Sequence, residues 1–189
     1  MILETEQSFL EVDNFQNTLL LEECVEYIRD KLEEYPQIKV YDKICRQRRC
    51  VGFFSDESIG YYYSGQLAKS KLLGDRLSKL LDIVNEKYNA EYNGILVNLY
   101  KTGDDYISAH SDDEKNLDKS GVVAISYGAT RKFRIREKKT RKIVSDIPLT
   151  SGSIIQMKNN FQNEFLHEIP VERRVKEERF SFTFRKHLK

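Results

Sequence analysis

The stretch that decides the fold is RFSFTFR, residues 179–185. Its apolar and polar residues alternate without interruption, and successive side chains of a β-strand point to opposite faces of a sheet. The three phenylalanines therefore share one face, which needs a hydrophobic core. The other face carries two arginines, two hydroxyl groups and no acid, on Arg179, Ser181, Thr183 and Arg185. A solvent-facing strand usually mixes its charges, so this face is typical of a site that binds a small dianion.

Length and composition indicate a single globular domain. The chain has 189 residues, of which 40% are hydrophobic and 11% aromatic, and a domain of this size buries roughly 70% of the surface that its unfolded chain exposes. No run of 18 or more apolar residues predicts a membrane span, and the acidic start does not resemble a secretory signal. Cys24, Cys45 and Cys50 lack the C-x-x-C spacing, which favours free thiols in a reducing compartment. We therefore expect an intracellular protein, in the nucleus or the cytoplasm.

The net charge of +1 conceals an uneven distribution along the chain. Residues 1–34 hold ten acids against two basic residues, whereas residues 131–142 hold eight basic residues against one acid. Residues 43–49 add four more cations. A cationic run is most often a solvated surface, and the alternative is a surface that binds phosphate groups. Charge alone leaves both interpretations open.

Hydrophobic periodicity predicts two helices followed by a series of strands. Apolar residues recur at helical spacing over 15–34, after a pair that resembles a capping box (Asp13 and Gln16), and over 68–88, where Gly74 weakens the first turns. The period then changes to two, and we predict strands at 94–100, 106–110, 122–127, 132–136, 142–148, 153–157, 164–169 and 179–185. This order favours an α+β fold, a jelly roll with the N-terminal helices packed on one outer face.

A candidate metal site follows from the histidines. His110 and Asp112 form an H-x-D pair at the end of an alternating strand, so both side chains fall on one face. An imidazole and a carboxylate from one strand, with a distant second histidine, are the ligands of non-haem Fe(II) oxygenases. His187 lies in the C-terminal tail, which leaves His167 as the natural third ligand. A lone H-x-D is usually a surface coincidence, and a zinc hydrolase could share the three ligands, but neither gives the two arginines of 179–185 a role.

Two further features fit a dianionic ligand. Arg179 and Arg185 are separated by roughly 20 Å of strand, so they could bracket a short dicarboxylate, and a planar guanidinium binds a carboxylate through two hydrogen bonds. Two unrelated surface salt bridges are the alternative. Asn98 and Tyr100 share one face of strand 94–100. They either present an amide and a phenol to the ligand or are buried groups that neighbours satisfy.

Together these residues resemble the AlkB family of Fe(II)/2-oxoglutarate-dependent nucleic-acid dealkylases, in particular its eukaryotic DNA-repair branch. The resemblance covers roughly residues 48–187 and rests on Asn98-x-Tyr100, His110-x-Asp112, His167, Arg179-x5-Arg185, Tyr61-Tyr62-Tyr63-Ser64-Gly65, Ser126-Tyr127-Gly128, Arg131-x-Phe133 and Gly152-Ser153. It implies a double-stranded β-helix, or jelly roll. Within one domain over 1–189 we expect a helical extension at 1–47, a substrate-recognition lid and helix at 48–92, and the jelly-roll core at 93–187.

The resemblance also implies a role for each matching residue. The catalytic Fe(II) would be held by His110, Asp112 and His167. The cosubstrate 2-oxoglutarate would contact Asn98, Tyr100, Arg179, Thr183 and Arg185. The damaged base would contact Arg49, Tyr61, Tyr63, Asp113 and Glu114. Without the family, packing within a sheet would be the favoured interpretation of the tyrosines.

The activity that the resemblance implies is oxidative demethylation of 1-methyladenine and 3-methylcytosine in DNA or RNA, with O2 as co-reactant and release of formaldehyde. An N-methyl group on the pairing edge is unreachable inside a duplex, so the base must leave the stack. One alternative keeps the cofactors but acts on an RNA modification, a protein side chain or a lipid. Another is a binding module without catalysis, which would bind oligonucleotides without iron. We expect a monomer that binds alkylated DNA or RNA and no membrane.

Overall fold

The computed structural model describes residues 3–40, 42–58, 60–63, 66–113, 118 and 121–187, with the backbone alone at residues 40, 61–63, 66 and 67. Within these residues the helices are α1 (Thr18–Ile28), α2 (Gly74–Tyr88) and α3 (Phe161–Glu164), with a 3-10 turn at Arg29–Lys31 after α1. The strands are β1 (Leu3–Glu4), β2 (Ser8–Asn14), β3 (Gln37–Val40), β4 (Lys43–Arg46), β5 (Cys50–Phe54), β6 (Gly60–Tyr63), β7 (Gln66–Lys71), β8 (Gly94–Tyr100), β9 (Ile107–His110), β10 (Val122–Gly128), β11 (Arg131–Glu137), β12 (Ile143–Leu149), β13 (Ser153–Asn159), β14 (Phe165–Ile169) and β15 (Arg179–Arg185).

Two sheets face each other across a hydrophobic layer. The described residues form a nine-stranded sheet in the order β1-β2-β13-β10-β15-β8-β5-β7-β6 and a four-stranded sheet in the order β12-β11-β14-β9. Strands β3 and β4 pair as a separate hairpin. The layer between the sheets contains apolar side chains from both, including Ile107, Phe133 and Ile155. This arrangement confirms the predicted jelly roll.

Strand β15 separates a helix-covered core from a polar cavity. Phe180, Phe182 and Phe184 are at most 1% exposed and pack with apolar side chains of α1 and α2. Each fully buried phenylalanine stabilises the fold by about 1.5–3 kcal/mol. The alternate side chains of β15 line a cavity between the sheets. The prediction of N-terminal helices on one outer face is therefore confirmed.

The helix boundaries differ from the predicted ones. Helix α1 begins at Thr18, and its N-cap is Asn17, whose side chain accepts a hydrogen bond from the Leu20 N–H at 3.1 Å. The predicted pair Asp13 and Gln16 does not cap it, because Asp13 lies in β2. Among the described residues, no helix has the length and apolar character that crossing a membrane requires.

The second helix also starts later than predicted, at Gly74 rather than residue 68. Gly74 has a φ of +64°, and a Cβ there would lie 2.5 Å from the hydroxyl oxygen of Tyr27. A glycine is therefore required where α1 and α2 approach each other. Residues 68–71, which the predicted helix included, belong instead to β7, which lies beside β6 and β5.

The strands after residue 94 agree closely with the prediction, whereas those before it were missed. The predicted strands 94–100 and 179–185 have the observed bounds of β8 and β15, and the others differ by at most two residues at either end. The sequence did not reveal β2, which pairs with β13 over all seven of its residues. Residues 8–14 include two acids, Glu11 and Asp13, and their sequence alone resembles a polar N-terminal segment. The pairing with β13 makes them a strand.

Candidate active site

The two histidines and the aspartate that the sequence selected lie together between the sheets. His110 ends β9, His167 lies in β14, and the two residues are direct partners across that antiparallel pair. Asp112 follows two residues after His110. Its carboxylate oxygens lie 3.9 Å from His110 Nε2 and 3.7 Å from His167 Nε2. One candidate ligand atom from each residue lies within 4.8 Å of the others.

This cluster suits a divalent cation, because it offers two imidazoles, one carboxylate and buried polar atoms without hydrogen bonds to other described residues. His110 Nδ1 is 2.8 Å from the carbonyl oxygen of Ser108, which can only accept, so Nδ1 carries the proton and Nε2 presents a lone pair. Asp112 Oδ2 and His167 Nδ1 are buried and have no hydrogen-bond partner among the described residues. A buried carboxylate oxygen is costly to leave unsatisfied. Two imidazoles and a carboxylate on one side of a cavity are the facial ligand set for Fe(II).

The surroundings keep these three groups in the protonation state that a metal needs. Burial, with the nearby positive charge of His110 when protonated, lowers the pKa of His167 to about 3. Burial also lowers the pKa of His110. Burial opposes ionisation of Asp112, but Arg185 and the neighbouring cationic groups outweigh it and hold the pKa of that carboxyl below its usual value. Near pH 7 the site therefore has neutral imidazoles and a carboxylate, as metal ligands require.

Two buried arginines lie in the same cavity. Arg185 Nη2 donates to Asp112 Oδ1 at 2.6 Å. Arg179 Nη2 donates to the Ser126 hydroxyl at 2.8 Å, and its guanidinium lies 5.4 Å from the centre of the Tyr100 ring. Within the described residues, Arg179 Nε and Nη1 have no hydrogen-bond partner. Burial lowers the pKa of Arg179 to about 10, so it remains charged near pH 7 and offers donors to an anion.

The other residues expected to contact 2-oxoglutarate line this cavity as well. Strands β8 and β15 are neighbours, with Tyr100 opposite Arg179 and Asn98 opposite Ser181. Asn98, Tyr100 and Thr183 are all buried and line the cavity with both arginines. The structure thus brings together the whole predicted cosubstrate set.

The residues expected to contact the base are more dispersed. Arg49 is buried in the same cavity, where its Nε donates to Asn98 Oδ1 at 2.8 Å. Asp113 has a 58% exposed side chain and pairs with Lys138 at 3.0 Å. Tyr61 and Tyr63 lie in β6 at the edge of the large sheet, but their side chains are outside the described residues, as is all of Glu114.

Arg131 is a buried clamp whose role the sequence did not reveal. Although it belongs to the cationic run 131–142, it is 1% exposed. Its guanidinium donates to the carbonyl oxygens of Thr102, Asp105 and Pro170 and pairs with Glu172. It also lies 5.7 Å from the centre of the Tyr100 ring. The signal available in the sequence was that Arg131 lies two residues before Phe133 and four before Ile135, and so shares the inward face of β11 with them.

Phe133 supports the metal cluster from the same strand. Its ring stacks on His167 with 5.2 Å between centroids and 15° between planes. Because Arg131 and Phe133 both point inward from β11, the motif Arg131-x-Phe133 is explained by packing around Tyr100 and His167.

Arg134 and Arg136, which lie on the outer face of β11, are neutralised. Arg134 binds Asp146 through two hydrogen bonds of 2.7 and 2.8 Å, and Arg136 pairs with Glu168 at 2.8 Å. Within the described part of the chain, ion pairs are absent at Lys139, Arg141 and Lys142. Within the described residues, the exposed cations of this hairpin that have no ion pair therefore lie at its tip and at Lys132.

Comparison with known proteins identifies the family. The model of the 2OG-Fe(II) oxygenase superfamily matches residues 10–185. The chain belongs to this superfamily. The human and mouse proteins named DNA oxidative demethylase ALKBH2 are 31% and 32% identical to this oxygenase over 176 residues, or 89% of its chain. It spans 66% of the human protein and 72% of the mouse protein.

Two further comparisons agree with that assignment. The bovine protein named Alpha-ketoglutarate-dependent dioxygenase alkB homolog 3 is 33% identical over 118 residues, covering 58% of this oxygenase and 41% of that protein. The solved structure titled "The structure of OsALKBH1" has the same fold, with a TM-score of 0.60 at 17% identity, covering 97% of this chain and 100% of the other. The oxygenase is a member of the AlkB family. Membership implies Fe(II), 2-oxoglutarate and O2 as cofactors, as predicted.

Proposed function

We propose that this oxygenase removes methyl groups oxidatively from 1-methyladenine and 3-methylcytosine in DNA, reversing alkylation damage directly. The observation that carries the proposal is the convergence, in one buried cavity, of the cluster His110, Asp112 and His167 with the cations Arg179 and Arg185. A binding module without catalysis would have no need for buried cations beside an unsatisfied carboxylate. The names of the mammalian relatives support DNA as the substrate.

The proposed assignment gives each buried polar group of the cavity a ligand. Fe(II) is held by His110, Asp112 and His167. The two carboxylates of 2-oxoglutarate are bound by Arg179 and Arg185, with Asn98, Tyr100 and Thr183 around them. Bound iron, with 2-oxoglutarate and O2, supplies the oxidation that releases the methyl group as formaldehyde and leaves succinate and CO2. Most of the residues that line the cavity are buried, and the low dielectric of a buried site strengthens each of these electrostatic contacts.

The arginines have distinct tasks in this proposal. Arg185 already donates to Asp112, so it orients a metal-binding carboxylate and the cosubstrate at once. Arg179 offers Nε and Nη1, which suits a second carboxylate at the far end of the ligand. A guanidinium binds both oxygens of a carboxylate in a fixed geometry. This arrangement selects a dicarboxylate of one length.

We assign base recognition to Arg49, Tyr61, Tyr63, Asp113 and Glu114. A carboxylate suits both lesions because methylated adenine and methylated cytosine each present an exocyclic amine. Stacking of a base on an aromatic ring contributes about 1–3 kcal/mol, which offsets part of the cost of flipping the base out of the duplex. Asp113 contacts Lys138 at 3.0 Å, and it must exchange this partner for the base.

Phosphate binding is assigned to the tip of the β11–β12 hairpin and to the cations of residues 43–49. The hairpin tip carries Lys139, Arg141 and Lys142, all of which are exposed. Such contacts attract any nucleic acid and weaken as salt increases. We further propose that the chain acts as a monomer inside the cell, in the nucleus or the cytoplasm, with the lid in residues 48–92 and the core in 93–187.

The test is mass-spectrometric turnover of a 1-methyladenine oligonucleotide, prepared as matched DNA and RNA strands, with Fe(II) and 2-oxoglutarate. We expect loss of the methyl group that depends on 2-oxoglutarate and is faster on DNA. The variants His110→Ala and Asp112→Asn should reduce turnover to background, because each removes a metal ligand. The matched control is Asp82→Asn, the same chemical change at an exposed position of α2, which should retain full activity.

Three results would contradict the proposal. Full activity of His110→Ala would exclude the metal site. Succinate formation without demethylation of either strand would move the substrate to a protein or a lipid. Faster turnover on RNA would replace DNA as the preferred polymer.

A further inference from the structure

We propose that Gln162 is a positioning residue that fixes the backbone of Asp112, and through it the carboxylate that binds the metal. This inference rests on the metal site assigned above. Asp112 lies beyond the end of β9, so the sheet does not hold its backbone. Its N–H instead donates to Gln162 Oε1 at 2.8 Å. Gln162 lies in α3, fifty residues further along the chain.

Helix α3 is itself anchored at both ends to the N-terminal segment. At its start, the Asn160 N–H donates to the Gln7 carbonyl at 3.0 Å, and Asn160 Nδ2 donates to Gln7 Oε1 at 2.8 Å. At its end, Glu164 Oε2 accepts hydrogen bonds from the hydroxyls of Thr5 and Ser8. A helix of four residues cannot hold its own shape, so these contacts determine where Gln162 lies.

Lys138 connects α3 to the residue after Asp112. Its ammonium donates to the Gln162 carbonyl at 3.1 Å and pairs with Asp113 at 3.0 Å. Before a base binds, the segment that follows β9 is therefore linked to residue 162 twice, through the N–H of Asp112 and, by way of Lys138, through the side chain of Asp113. Both contacts link the metal-binding segment to the outer helix rather than to its own sheet.

These contacts complete the positioning of the Asp112 carboxylate. Arg185 donates to Oδ1 at 2.6 Å, and the hydrogen bond from the Asp112 N–H to Gln162 Oε1 fixes the backbone of Asp112. With both ends fixed, Oδ2 faces His167 at 3.7 Å without a hydrogen bond of its own. Loss of the Gln162 acceptor leaves the Asp112 N–H unsatisfied and lets the segment move. Removal of a partner that orients a metal ligand typically weakens metal binding by about 10- to 100-fold.

The test is titration of the metal-free protein with Mn(II), with free Mn(II) measured by electron paramagnetic resonance. Gln162→Met keeps the length of the side chain but removes the acceptor, and we expect the dissociation constant to increase about 10-fold. Gln162→Glu keeps an acceptor oxygen and should bind Mn(II) at least as tightly as the original chain. The matched control is Asn163→Leu, because Asn163 bonds to Asn160 within the same segment but does not contact Asp112.

The outcomes separate this inference from the metal assignment. Unchanged Mn(II) affinity in Gln162→Met would overturn the positioning role, and so would equal weakening in Gln162→Glu or in Asn163→Leu. If the unmodified protein does not bind Mn(II), or if Asp112→Asn binds it equally well, the metal site itself is wrong. Melting temperatures of the variants, measured without metal, should stay within a few degrees of each other, because Gln162 and Asn163 lie near the surface.

Discussion

The residues assigned to the cosubstrate and those assigned to the base lie in contrasting surroundings. The first group lies on β8 and β15, in the middle of the large sheet, and each of its members is at most 7% exposed: Asn98, Tyr100, Arg179, Thr183 and Arg185. The second group lies mainly at margins. Tyr61 and Tyr63 are in the edge strand β6, and Asp113 is in the segment after β9 with a 58% exposed side chain.

This contrast shows how the molecule separates two demands. In the proposed function, a small cosubstrate of fixed shape would be bound by charges that are already desolvated and held on central strands, so little reorganisation would be needed when it binds. In the proposed function, a base that must first leave its duplex would be bound at an edge strand and a connecting segment. Substitutions in the first group should therefore have large effects on one ligand, and substitutions in the second should have smaller, distributed effects.

The largest effect is expected at Arg179. In Arg179→Met the KM for 2-oxoglutarate should rise roughly 100-fold, because removal of one partner of a buried charge pair usually costs about 2–5 kcal/mol of binding. The fold should survive, since an apolar side chain of similar volume often replaces a buried charge without loss of stability. The measurement is the rate of succinate formation as a function of 2-oxoglutarate concentration.

The control for Arg179 lies on the other side of β15. Arg29 lies 5.3 Å from the centre of the Phe180 ring and pairs with Glu178 on the exposed outer face. Arg29→Met makes the same chemical change next to the same strand, and it should leave the KM for 2-oxoglutarate unchanged. Equal effects of the two substitutions would show that β15 acts through its stability, and the contrast between buried cosubstrate residues and exposed margins would lose its basis.

The sequence predicted the strands and the candidate metal ligands of residues 94–185 because the signals there are local. Strict alternation defined β15 and assigned its faces, and a period of two over the apolar run of β8 put Asn98 and Tyr100 on one face. The spacing His110-x-Asp112 then put two ligands on one side, and His167 faces them because β14 pairs directly with β9. In each case a single strand carried both the hydrophobic face that packs and the polar face that binds.

The remaining features depend on partners that are distant in the sequence. Strand β2 exists because β13 pairs with it, and residues 66–71 extend the large sheet although their spacing is also compatible with a helix. Arg131 belongs to a cationic run but is buried, since three carbonyl oxygens and Glu172 satisfy it. Gln162 gave no signal at all, because its partner is a backbone N–H fifty residues away.

A moderate effect on stability is expected at His187, two residues after Arg185 and next to β5. The ring of His187 packs against Phe53 with 4.8 Å between centroids. Burial lowers its pKa from 6.5 to about 4, with a smaller contribution from the charge of Arg185. Between these values the unfolded chain binds one more proton than the folded protein. The stability from this group is therefore complete above about pH 6.5 and is lost as the pH falls toward 4.

The measurement is the free energy of unfolding as a function of pH, for the original chain and for His187→Gln. Between pH 7 and pH 4 the original chain should lose up to about 3 kcal/mol more than the variant. Other titrating groups contribute equally to both curves and cancel in the difference. Parallel curves would mean that water reaches the His187 ring, and that the buried surroundings of the cosubstrate residues do not extend to β5.

The smallest effect is expected at the tip of the β11–β12 hairpin. Lys139 is exposed, and its replacement in Lys139→Gln should reduce the slope of log binding constant against log salt concentration by about 1 if it contacts a phosphate. The matched control is Arg134→Gln, because Asp146 already neutralises Arg134 through two hydrogen bonds. Fluorescence anisotropy of a labelled oligonucleotide across a salt series measures both slopes. A similar reduction of the slope in Arg134→Gln would show that the ion pair of Arg134 opens when nucleic acid binds. The paired cations of β11 would then also contact the substrate.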